Sequence, residues 1–406
     1  MSNLEFDPLS PAFAANPYAF YAKLREAEGL VWFEQLGMYI AARHADVVAI
    51  TTNPACVRSL TGFASEEELR TAQRAANWHD MPYHERVVQF SLLDSDGPVH
   101  RRLRKLVFGS FTAMAVEGLD AVVRPFVNEL LDGLEHRESF DFTNDFAVHV
   151  PGFLIGYLLG APREDAEQLR VWSEQVVKFF DVDRSDALKI KAEKATREFY
   201  HYLEDLMRER EKAPRYDLIS KMLEDKKAGH YSQDEFISTC MLILMAGHGS
   251  TIDVLGSGMN TLIDHPDAWT ELKAAPEKLP SAIQEIFRTE PPLPFFHRHA
   301  TQDIEVAGRV FENGTTFGLL YGGANRDAAA FTQPDVFDIR RTPNRHLAFG
   351  QGAHLCLGNN LARMNMRVVF ECLLQRFSGF ELVGGVEWKR GLSVRGPVAL
   401  QVRPKT

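Results

Sequence analysis

A chain of 406 residues, 45% hydrophobic and 25% charged, can bury a core of several layers, and with no linker in view one domain over residues 1–406 is expected. The formal net charge of −10 argues against general nucleic-acid binding. The four cysteines, Cys56, Cys240, Cys356 and Cys372, are too scattered for a disulfide framework and form no Cys-x-x-Cys pair for zinc. Residues 1–17 are polar and carry prolines, with no apolar run of signal-peptide type. The most apolar stretch, 146–161, is broken by His149, Pro151 and Gly152 and falls short of a membrane span. A soluble, cytoplasmic monomer is the expectation. The 28 phenylalanines suit a packed core or an apolar ligand cavity.

In chain order, residues 31–34 and 38–42 read as a β-hairpin joined by Gln35-Leu36-Gly37. Residues 98–108 open a helix on a proline, which suits a first turn. Residues 117–134 follow as a helix with Leu119, Val122, Val123, Phe126, Leu130 and Leu134 at helical spacing. Residues 186–212 form a charged helix with Phe199, Tyr202 and Leu206 as a narrow apolar side. Ser232 and Glu235 make a capping box before a run, 236–246, that is apolar all round and so predicts a buried helix. Short strands are expected at 305–306, 310–311 and 317–321, with Asn313-Gly314 as a hairpin turn between two of them. A glycine-rich loop enters a helix at 359–377, and the tail from Phe380 reads as β-hairpins. The fold class is mainly α with small β-sheets.

The most informative segment is Phe349-Gly-Gln-Gly-Ala-His-Leu-Cys-Leu-Gly358. Cysteine is often only a small buried hydrophobe, and Cys56, Cys240 and Cys372 merit that reading. Cys356 differs. Gly350, Gly352 and Gly358 allow a tight turn and close approach to a flat molecule. A helix starts just after it, where free N–H groups favour a thiolate, and His354 can donate to an anionic group on the same side.

This loop resembles the signature of the cytochrome P450 family, Phe-Gly-x-Gly-x-His-x-Cys-x-Gly, and matches it at Phe349, Gly350, Gly352, His354, Cys356 and Gly358. Three further segments extend the resemblance. Glu285-Ile-Phe-Arg288 is similar to the family's Glu-x-x-Arg, whose third member is Arg340 or Arg341 here. Asp96-Gly-Pro-Val-His100-Arg-Arg-Leu-Arg104 resembles Asp-x-Pro-x-His-x-x-x-Arg, with His100 and Arg104 one helical turn apart. Ala246-Gly-His-Gly-Ser-Thr251 resembles Ala-Gly-x-acid-Thr, but Gly249 replaces the acid and Ser250 the threonine, with Thr251 next. By helical geometry His248 points away, and Asp253, two turns beyond Ala246, could supply the carboxylate.

The resemblance implies a single-domain cytochrome P450 fold and haem b (iron protoporphyrin IX) with Cys356 as axial iron ligand. An anionic sulfur donates electron density and favours O–O cleavage. His100, Arg104, Arg298 and His354 would serve the haem propionates, and Ala246, Phe349, Gly350 and Gly358 would line the cofactor. Gly249, Ser250, Thr251 and Asp253 fall where the family handles protons. Leu242, Ala246, Leu293, Phe295, Phe296 and Leu392 would face substrate, although Phe295 and Phe296 could equally be core. The implied activity is O2-dependent hydroxylation or oxidative O-demethylation of a small organic substrate, aromatic or terpenoid. Electrons would come from a ferredoxin or flavodoxin with its reductase, docking on Arg101, Arg102, Arg104, Lys105, Arg363 and Arg367 unless these only aid solubility. A hydrogen-peroxide-driven peroxygenase and a non-catalytic haem sensor stay open as alternatives.

Overall fold

The computed structural model describes residues 7–27 and 29–405, mostly in helices, with small sheets gathered to one side. The largest sheet has five strands, in the order Val31–Phe33, Met38–Ala41, Thr316–Leu320, Phe295–Ala300, Cys56–Val57. The first two are the expected hairpin, paired antiparallel from Val31 opposite Ile40 to Phe33 opposite Met38. Met38–Ala41 then runs parallel to Thr316–Leu320, which pairs antiparallel with Phe295–Ala300.

Two strand expectations need correction. Phe295–Ala300 is a strand paired on both edges, with Thr316–Leu320 and with Cys56–Val57. Its long-range partners, rather than any alternation in Phe-Phe-His-Arg-His-Ala, fix it as β. Asn313-Gly314 does not turn a hairpin. The hairpin is Ile304–Val306 with Arg309–Phe311, and it turns at Ala307-Gly308, both at positive φ (52° and 72°). Asn313 and Gly314 instead lead the chain into the larger sheet.

The helices follow the sequence pattern more closely. Gly97–Phe108 carries its proline in the first turn. The helix expected at 117–134 forms as Ala113–Glu117 and Asp120–Asp132. Asp186–Lys212 has a wider buried face than expected, including Ala192, Tyr200, Leu203 and Met207, while Tyr202 is only half-buried and donates to Asp165 at 2.8 Å. Gln233–Asp264 is the central helix. Both halves of its capping box form, Glu235 N–H to Ser232 Oγ at 3.2 Å and Ser232 N–H to Glu235 Oε2 at 2.9 Å. It is long and apolar enough to cross a membrane, yet 72% of its apolar window is buried inside the protein. Phe236, Cys240 and Leu244 on this helix pack with Leu154 of His149–Leu159 and with Phe370 and Cys372 of Asn359–Arg376 in the main core. Cys56 belongs to a smaller core beside the five-stranded sheet.

Candidate functional site

The cysteine loop is shaped by two glycines at positive φ, Gly350 at 66° and Gly352 at 74°. A Cβ on Gly352 would sit 2.5 Å from the Thr51 carbonyl oxygen, so the loop also docks too closely there for any side chain. Gly358 has an ordinary φ of −84°, and no heavy atom lies within 4 Å of where its Cβ would be. Cys356 N–H donates to the Phe349 carbonyl at 2.8 Å, and Asn359 Nδ2 donates to the Cys356 carbonyl at 2.7 Å. Burial pushes the Cys356 thiol up, while the Gly358 N–H and the charges of Arg104 and Arg363 pull it down. Phe349 packs on Phe287 at 4.5 Å between centroids and lies under the Arg363 guanidinium at 4.3 Å.

Behind the loop lies a saturated network. Glu285 and Arg288, both fully buried, make a bidentate pair at 2.7 and 2.8 Å. Arg341 adds a bond at 3.0 Å to the same carboxylate, as do Asn344 Nδ2 and the Asp338 N–H, each at 3.0 Å. Arg341 is therefore the third member of the group. Arg340 faces the surface and pairs with Glu271 at 2.6 Å. The remaining Arg288 donors reach the carbonyls of Asn325, Pro334 and Val336. Burial pushes the Glu285 carboxyl up, but the Arg288 hydrogen bonds and charge prevail and hold it below the usual range.

Beside the loop lies a different set. Asp96, at the N-cap position of Gly97–Phe108, does not cap its own helix. Its Oδ2 accepts the N–H groups of Arg58 (2.8 Å) and Ser59 (2.9 Å), and its Oδ1 accepts His354 Nε2 at 2.9 Å. The His354 ring lies 4.2 Å from that of His100, and Arg104 donates to the Leu355 carbonyl at 2.6 Å. His100 and Arg104 thus face one target, as their spacing predicts. His100 Nε2 is buried without a partner among the described residues. Arg298 is buried too, and its one side-chain hydrogen bond among them is to the His297 carbonyl at 2.8 Å. Arg58 and Asp94, missed in the sequence, complete the set with an ion pair at 3.3 Å.

The central helix opens at one place. Leu242, Gly247, Gly249 and Ser250 are half-buried and Ala246 is exposed, whereas Met241, Ile243, Leu244, Met245 and His248 are buried. No heavy atom lies within 4 Å of a Cβ built on Gly249. This stripe at i, i+4, i+7 is a cleft face within an otherwise covered helix. Ser250 Oγ donates to the Ala246 carbonyl at 2.9 Å, and Thr251 is buried beside it. His248 turns away as expected and meets Gly152, with its Cε1 only 2.9 Å from where a Cβ would sit. Asp253 is not on the open stripe. It lies under the C-terminal hairpin against Gly396 and pairs with Lys389 at 2.7 Å, its Oδ2 unpartnered among the described residues.

Of the expected substrate contacts, Leu242 and Ala246 lie on the open stripe, and Leu293 and Phe296 are half-buried. Phe295 and Leu392 do not fit that role. Both are buried in a cluster with Tyr21, Leu24, Phe33 and Leu320, on the side of the sheet that the N-terminal helix covers. A strand alternates its faces, so Phe295 and Phe296 point opposite ways.

The residues present fit haem b. The orphaned His100 nitrogen and the Arg298 guanidinium need carboxylates, which two propionates supply. Gly249 on the helix and Gly358 on the loop leave room for a flat macrocycle, and Cys356 offers the sulfur.

Comparison with known proteins agrees. The family model described as Cytochrome P450 matches residues 71–388. The biotin biosynthesis cytochrome P450 of Bacillus subtilis (strain 168) is 31% identical over 385 residues, covering 94% of this chain and 93% of that protein. The polyketide biosynthesis cytochrome P450 PksS of the same organism is 31% identical over 413 residues, 99% of each. The crystal structure of P450BioI in complex with a hexadec-9Z-enoic acid ligated acyl carrier protein superposes with a TM-score of 0.90 at 30% identity, covering 97% of this chain and 100% of that one. Signature loop, buried ion-pair network and whole-chain likeness lead to one assignment: this chain belongs to the cytochrome P450 family and binds haem b.

Proposed function

We propose that the chain is a monooxygenase acting as one unit over residues 1–406, hydroxylating or oxidatively O-demethylating a small organic substrate. The observation that carries this reading is the open stripe at Leu242, Ala246 and Gly249 on an otherwise buried helix. A cleft of that kind, set in a long buried helix, speaks against a non-catalytic haem-based sensor. Bound haem supplies the activation of dioxygen and the oxidation of substrate. Cys356 would supply the sulfur that binds the haem iron, oriented by its own N–H bond to Phe349; burial raises its thiol pKa, and the Gly358 N–H and the charges of Arg104 and Arg363 work against that. His100, Arg104, Arg298 and His354 would hold the propionates, with Phe349 and Gly350 beside the cysteine. Small side chains at Ala246 and Gly249 leave space on the cleft side, and Leu242, Leu293 and Phe296 bound the substrate.

The Ser250 hydroxyl holds a proton on Oγ and can turn from the Ala246 carbonyl into the cleft. With glycine at 249 and Asp253 tied to Lys389, that proton is replenished from water or through Thr251 rather than by a neighbouring acid. Electrons come from a ferredoxin or flavodoxin. Arg101 and Lys105 are exposed for such a partner, whereas Arg102 pairs with Glu235 and Arg367 with Asp120. A cytoplasmic location suits such a partner.

The missing acid at Gly249 also favours a second reading, a peroxygenase driven by hydrogen peroxide. Turnover with peroxide that exceeds turnover with electron donors selects it. The first experiment is an absorption spectrum of dithionite-reduced protein with and without carbon monoxide. A strongly red-shifted Soret band is expected; a spectrum typical of neutral histidine ligation overturns the role of Cys356.

A further inference from the structure

Next to the propionate-binding set the chain gathers more positive charge than that set requires. Arg184 lies in the connection between helices Ala166–Phe179 and Asp186–Lys212. It is half-buried, and its hydrogen bonds among the described residues are two long ones to backbone carbonyls, Asp181 at 3.3 Å and Ala76 at 3.5 Å. Asp181 is a nearby carboxylate, but its oxygens are taken by three backbone N–H groups, those of Val182 (2.7 Å), Leu392 (3.1 Å) and Ser393 (3.0 Å). Burial lowers the pKa of Arg184, the charge of Asp181 acts against that, and Arg58 repels it. His297 is half-buried beside it, and its desolvation together with the charges of Arg58, Arg298 and Arg184 holds it neutral, with Arg58 Nη1 2.9 Å from its Nδ1. Asp94 answers Arg58, and the propionates answer Arg298. Arg184 feels the charge of Asp181 but has no carboxylate in hydrogen-bond contact among the described residues.

Its surroundings have the form of a ligand wall. The guanidinium stands 6.0 Å from the Phe179 ring. His84, nearly fully buried, packs its ring against Trp78 (5.7 Å), Phe179 (5.5 Å) and Phe180 (5.1 Å). Its Nδ1 has no partner among the described residues. A guanidinium with no carboxylate in hydrogen-bond contact and an unpartnered imidazole nitrogen, beside the half-buried rings of Trp78 and Phe180, suit a molecule with one anionic end and an apolar body. A single guanidinium matches a monoanion such as a carboxylate; a phosphate dianion would need more donors.

We propose that the substrate is an organic carboxylate, held by the Arg184 guanidinium with its apolar body against Trp78 and Phe180, the two half-buried rings of this group. This rests on the monooxygenase reading and names its substrate class.

The test titrates the haem-loaded protein with dodecanoate and 4-phenylbutanoate beside their primary amides, following the ferric Soret shift. At least one acid is expected to bind about tenfold or more tightly than its amide, since charge-assisted hydrogen bonds are worth that much. In R184Q the acid affinity is expected to fall about 10–100-fold while the amide affinity stays within about twofold, and R184K restores part of the loss. Wild-type protein that binds amides as well as acids, or neither at millimolar concentration, overturns the proposal without any variant. So does an R184Q protein that loses acid and amide affinity equally. The carbon monoxide spectrum of the same samples keeps the two readings apart. Carboxylate selectivity can fail with the thiolate band intact, whereas loss of that band in wild-type protein sinks the monooxygenase reading itself.

Discussion

The charges behind the cysteine loop and those beside it are both buried, yet they are settled in opposite ways. Behind it, every oxygen of Glu285 has donors, and Arg288 is used up on that carboxylate and three carbonyls. Beside it, His100 has an idle nitrogen, and Arg298 reaches only a carbonyl oxygen. A network complete within the chain serves shape. A buried cation left without a counter-charge serves a ligand, because its desolvation must be offset by something the chain does not supply.

The largest effect expected is on the loop itself: Cys356→Ser should abolish the red-shifted carbon monoxide band while the fold, read by circular dichroism, persists. Next comes Glu285→Gln, which strands Arg288 and Arg341 in the interior. Removing one partner of such a pair costs about 3–5 kcal/mol, to be measured by urea unfolding. Its pH dependence has a definite sign. The Glu285 carboxyl lies below its ordinary value in the fold, so its stabilisation is complete above the usual glutamate range and is lost as pH falls through the folded value. The variant should therefore lack part of the wild-type loss of stability in acid.

Arg298→Gln should do the reverse of Glu285→Gln, weakening haem retention by about 1.5–3 kcal/mol with little loss of fold stability. Haem transfer to an acceptor protein measures the first and unfolding of the haem-free protein the second. If the two variants behave alike, the contrast between the regions is wrong. Asp253→Asn should lower the melting temperature but leave turnover per haem near wild type, since the carboxylate serves Lys389. The smallest effect is a slope. Burial lowers the pKa of His84 and His248 to about 4. Unfolded chains take up those protons from about pH 6.5 downward, so stability should be full above that pH and decline toward pH 4.

The loop, the Glu285–Arg288 pair and the His100–Arg104 face were legible in the sequence because each is a short spacing that local backbone geometry turns into a shared direction. What escaped was long-range. Arg340 and Arg341 are adjacent and chemically identical, and only the packing of Glu285 separates them. Arg58 and Arg184 lie outside any spacing that links them to the loop. Phe295–Ala300 owes its strand to partners at both edges, and without it the opposite facing of Phe295 and Phe296 could not be read. Asp253 lay at the right angle on its helix, but the C-terminal hairpin that covers it comes more than a hundred residues later.

Asp96 carries a consequence for how the protein is made. One carboxylate joins the end of the Cys56–Val57 strand, the start of the Gly97–Phe108 helix and the cysteine loop 258 residues downstream. Closure over such a separation is slow compared with forming the Gly97–Phe108 helix, because chain entropy must be surrendered before the contact repays it. During synthesis His100 and Arg104 therefore emerge well before His354 and the Cys356 sulfur that complete the site. The site is whole only once the cysteine loop has docked on Asp96.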